Sequence, residues 1–141
     1  MSPAERARQL IALTERLTHR LVEETRCFEA RRPQDAAPGV GETQELANLY
    51  RRETARLKTD RTLLDGLPAP DRDALIAATQ AFEAVLARHQ RALEAAKTIT
   101  EGLVQAIAQE VASARAQGTG YGAGGRAAAA DTRAVTLNRT A

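Results

Sequence analysis

The sequence predicts an all-α protein: an elongated antiparallel helical hairpin or three-helix, coiled-coil-like bundle, with a long third helix and a disordered C-terminal tail. Three observations carry that expectation. Good helix formers (Ala, Leu, Glu, Arg and Gln) dominate, while aromatics make up only 3% and Trp is absent. Apolar residues recur at three- and four-residue steps, the spacing that lines one side of a helix. Two proline-rich breaks divide the pattern into three runs.

The first run opens on Ser2-Pro3-Ala4-Glu5. The Ser hydroxyl and Glu carboxylate can cap each other's backbone N–H groups, and Pro is tolerated at the first helical position. Leu10, Leu13, Leu17 and Leu21 follow, and Phe28 extends the stripe after a polar gap. The predicted helix covers 3–31 and stops at Pro33. The connector from Arg32 to Gly41 holds two prolines and two glycines, which marks the clearest break in the chain.

A second helix is predicted over 42–67, with Leu46, Tyr50, Glu53, Leu57, Asp60, Leu64 and Leu67 on its seam. Two acids on that seam make it narrow and weakly buried. The short link Leu67-Pro68-Ala69-Pro70-Asp71 turns the chain back antiparallel. Asp71 is the expected N-cap, and Asp73 suits the positive helix start.

The third helix is predicted over 71–117. One heptad track reads Leu75, Phe82, His89, Ala96, Leu103, Glu110, and its companion reads Thr79, Leu86, Leu93, Thr100, Ile107. At ~1.5 Å per residue it is about 65–70 Å long, against about 40 Å for each of the others. The shorter helices therefore cover it only to about Ala96. Beyond that point Ile99, Leu103, Val104, Ile107 and Val111 form an apolar stripe, the candidate partner-binding residues. A homodimer through this stripe, or a register that brings the first helix over it, is the alternative.

From Gly118 to Ala141 the pattern ends in a Gly-, Ala- and Arg-bearing tail, separate from a helical body over 1–117. Such a segment buries too little to offset its ordering entropy. The charge of +2 belongs wholly to the tail: Arg126, Arg133 and Arg139 against Asp131, while 17 basic and 17 acidic residues cancel in the body. Three spread arginines make a poor phosphate track, so nucleic acid is not an expected partner. Gly120-Tyr121-Gly122-Ala123-Gly124-Gly125 matches a dinucleotide-binding string but lacks the strand and helix that string requires.

No catalytic site, metal site or cofactor is expected. His19 and His89 have no ligand at metal spacing, and His89 on its heptad track reads as a satisfied, half-buried side chain. Cys27 is a lone thiol beside Phe28. Without an apolar leader or a membrane-length apolar run, a cytoplasmic chain without membrane insertion is expected. Tyr121, stranded among glycines with no core to enter, suits an anchor for a partner groove.

The tail Thr119-Gly120-Tyr121-Gly122-Ala123-Gly124-Gly125 resembles the Tyr-Gly-x-x-Gly element of the FlgN family of flagellar type III export chaperones, in an alphaproteobacterial form. Val135-Thr136-Leu137-Asn138 resembles the short apolar close that follows it there. The third helix is Ala-, Arg- and Glu-rich where family members often carry Asn and Gln. The resemblance implies a chaperone for hook–filament junction (hook-associated) proteins, delivering them to the export gate. It implies gate docking through Tyr121, Gly122 and Gly125, with substrate held on the helix-three stripe as a helix-in-groove contact. The competing reading is a self-associating coiled-coil adaptor with a structural or regulatory role and no part in export.

Overall fold

A computed structural model describes residues 1–118. Helix α1 spans Pro3–Glu29, α2 spans Val40–Thr59 and α3 spans Ala69–Gly118, with no strand among the described residues. The all-α fold with a long third helix is therefore the fold of this chain.

The α1 cap forms as the sequence predicts. Glu5 N–H donates to Ser2 Oγ at 3.1 Å, and Ser2 N–H donates to the Glu5 carboxylate at 2.8 Å. Those bonds hold the Glu5 carboxyl below its ordinary range, the Ser2 backbone bond contributing most. The helix ends two residues before the predicted boundary, and the reason is local. Arg31 adopts φ 59°, in the left-handed region. Arg31 N–H then donates to Phe28 O at 3.0 Å and Arg32 N–H to Cys27 O at 2.8 Å. That bond pair is a Schellman closure with Arg where Gly is usual, so no glycine in the sequence announced it.

The connector folds into two short 3₁₀ turns, Pro33–Asp35 and Ala37–Gly39, with Ala36 buried between them. Arg20 secures it: its Nε lies 3.5 Å from Thr43 Oγ1 and 3.9 Å from the Glu42 carboxylate. The guanidinium lies over Gly39, in space that a Cβ there would enter. Helix α2 begins at Val40, two residues earlier than predicted, because the turns run directly into it.

Helix α2 ends at Thr59, not Leu67. Asp60 leaves the helical region at φ −131°, ψ 94°, and accepts from Thr62 N–H at 3.0 Å. It thereby caps a 3₁₀ turn over Arg61–Leu64 rather than continuing the α2 seam. Leu64 and Leu67 thus belong to the turn and link. Gly66 follows at φ 73°, where a side chain would be strained. Helix α3 starts at Ala69 with Pro70 in its first turn. Asp71 accordingly lies inside that turn, suiting the dipole, instead of capping the helix.

Spatial proximity divides the chain into two units, Met1–Ala96 and Lys97–Ala141, the second described only to Gly118. The division falls within α3, whereas the compositional change falls at Gly118. In the first unit, α2 runs antiparallel to α1, which places Arg16 against Glu42. Residues Ala69–Ala96 of α3 run parallel to α1, bringing Glu24 to His89. The core is Leu17, Leu21, Leu46 and Phe82, flanked by Leu13, Ala47, Tyr50, Val85 and Leu86. Each fully buried Leu or Phe contributes about 1.5–3 kcal/mol. The Tyr50 and Phe82 rings meet at 4.8 Å, and burial with nearby Glu83 pushes the Tyr50 hydroxyl's pKa up.

Candidate docking surface

From Lys97 to Gly118 the helix is built from Ala106, Ala108, Ala112, Ala114 and Ala116 among longer helix formers. None of its side chains is buried. Ile99 is 53% exposed, Leu103 59%, Val104 51%, Ile107 52% and Val111 36%. Helical spacing sets all five on one side of this segment. Large apolar side chains gathered on one exposed helix side make this segment the candidate interaction surface.

Gly102 lies on the helix surface, and a Cβ built there meets no atom within 4 Å. Gly102→Ala should therefore stabilise this stretch of helix by about 0.5–1 kcal/mol, through reduced backbone entropy alone. Circular dichroism melting of the two proteins checks it, with a higher helix content expected in the variant.

Tyr121, Gly122 and Gly125 lie outside the described residues. Among the described ones, Leu103 and Glu110 share a heptad track, so the apolar stripe carries one exposed acid.

The first unit holds a polar arrangement that the apolar spacing concealed. His89 Nε2 lies 3.0 Å from Glu24 Oε2, both residues buried, and Glu24 Oε1 is buried with no hydrogen-bond partner. Phe28 meets the His89 ring edge-on at 6.0 Å. Glu24 is the residue that fills the polar gap between Leu21 and Phe28. Just outside, Arg88 donates from Nε and Nη2 to both Glu29 carboxylate oxygens at 2.7 Å each. Arg88 thereby holds the Glu29 carboxyl below its ordinary range. Paired and hydrogen-bonded, His89 acts in packing.

Cys27 is half-buried beside Arg20, Glu24 and Asp35 in a shallow cleft. Among the described residues, no group of three or more His, Cys, Asp or Glu is placed to hold a metal ion. No helix there is long and apolar enough to cross a membrane.

These features define an all-helical protein that leaves an apolar helix side open. The chain is similar to the flagellar basal-body protein FlbY of Caulobacter vibrioides, at 51% identity over 140 residues, covering 97% of this chain and 94% of the relative's length. It belongs to the FlbY family of flagellar proteins. No protein-family profile and no solved structure matches it.

Proposed function

We propose that this chain is a flagellar export chaperone. It binds hook-associated (hook–filament junction) proteins in the cytoplasm and delivers them to the type III export gate. The observation that carries the reading is the exposed row Ile99, Leu103, Val104, Ile107 and Val111. A row of that kind shields the apolar face of an amphipathic helix, the element a filament subunit must keep from premature assembly. The relative's flagellar name and the FlgN-like tail around Tyr121 give the partner its class. Affinity capture of the full chain from flagellated cells tests it. Recovery of a hook-associated protein is the expected result, and recovery of the chain only with itself would replace export by self-association.

Tyr121 is the proposed gate anchor. Tyr121→Ala should weaken affinity for the gate's cytoplasmic domain by about 2 kcal/mol or more, the scale of a hot-spot aromatic. Substrate capture, residing on the helix stripe, should survive. Side-by-side titrations of both ligands check it: equal gate affinity removes the tyrosine's role, and loss of both affinities makes tail and stripe one site.

A further inference from the structure

We infer that the stripe takes two neighbouring helices of one partner chain, with opposite flanking charge, instead of a single helix; the inference rests on the docking reading above. With about 100° of turn per residue, Ile99 and Val104 stand about 140° apart around the helix, and Leu103, Ile107 and Val111 fall between them. A two-stranded seam uses only the narrow a and d columns, where a single partner helix seats its knobs. Here the outer columns also carry large, half-exposed apolar side chains: Ile99 on one edge, Val104 and Val111 on the other. One helix laid over the middle leaves an edge wet, whereas two helices side by side cover both.

Length and charge argue against a second copy as the occupant. Ile99 to Val111 spans about 18 Å, under two heptads, while a paired coiled coil is recognised by three to four sustained heptads. The columns that would carry pairing charges in such a coil hold Ile99, Val104 and Val111 instead. The charges on the two sides of the arc are unlike. Exposed Glu110 lies just inside it, about 20° from Ile99 toward Leu103, and exposed Lys97 and Arg115 share a column about 20° outside Val104. The helix over Ile99 therefore presents Lys or Arg toward Glu110, and the helix over Val104 presents Asp or Glu toward Lys97.

Replacing Ile99 or Val104, one at a time, with a benzophenone-bearing phenylalanine in the full chain tests the arrangement in flagellated cells. After irradiation, the adducts are digested and mapped. The expected result is one partner chain marked at two separate segments, one from each position. A single segment marked from both positions overturns the two-helix arrangement, and so do adducts between copies of this chain. Absence of any flagellar adduct from either position defeats the docking reading itself. As a second measure, Glu110→Lys should lower partner capture at least tenfold with helix content unaltered; unchanged capture overturns the charge assignment.

Discussion

Replacing Leu103 and Ile107 together with Asp is expected to abolish partner capture while leaving the cooperative melt of the Met1–Ala96 unit nearly unaltered. Both side chains are more than half exposed, so neither contributes to the Leu17, Leu21, Leu46 and Phe82 core. In the free protein the new carboxylates stay in water. In a complex they would enter an apolar contact, where each polar group buried without a partner costs about 1–3 kcal/mol. Two such penalties, added to the lost apolar burial, reduce affinity by roughly a hundredfold or more. Capture assays paired with thermal melts measure both halves. Unfolding of the double variant would place the stripe inside the protein's own packing and end the docking reading.

His89→Ala is expected to destabilise the fold by about 1–3 kcal/mol, the cost of leaving a buried polar group without its hydrogen-bond partner. Glu24 would keep its place near the core, with Oε1 already lacking a partner and Oε2 losing its imidazole. The edge contact of Phe28 would go as well. Glu24→Gln should cost less, since an amide can still hydrogen-bond the ring nitrogen. Urea unfolding of the three proteins ranks them. A loss under 1 kcal/mol for His89→Ala would mean that water already solvates the pair.

The sequence and the structure part company at identifiable residues. Leucine spacing and the Ser2–Glu5 box locate α1, because both are local signals, and Pro33, Pro68 and Pro70 locate its neighbours. Boundaries depended on subtler chemistry. Arg31 takes a left-handed conformation that any alignment of residue types would assign to glycine, and Asp60 turns from seam to cap by bonding Thr62. The Asp-x-Thr triplet could have signalled that turn, but seven-residue spacing outvoted it. Glu24 read as a gap in the stripe, since its partner lies 65 residues away and only packing of α1 beside α3 reveals it. The stripe from Ile99 to Val111 was legible in full as a pattern. Its partner was not, because exposure belongs to one chain and recognition to two.

Residues 97–118 stay helical without burying a single side chain. Their order cannot come from core packing, and an isolated helix of about that length is marginal in water even when Ala-rich. What sustains it is continuity: the costly first turn is already paid at Ala69–Ala96, and each later residue needs only the small gain of propagation. Helix content here should therefore decline smoothly with temperature ahead of the cooperative melt of the first unit. A partner seated on Leu103 and Ile107 would then supply the missing burial and extend order toward Gly118. On the docking reading, recognition would consolidate this stretch of helix, and warmth would weaken capture before it weakened the fold.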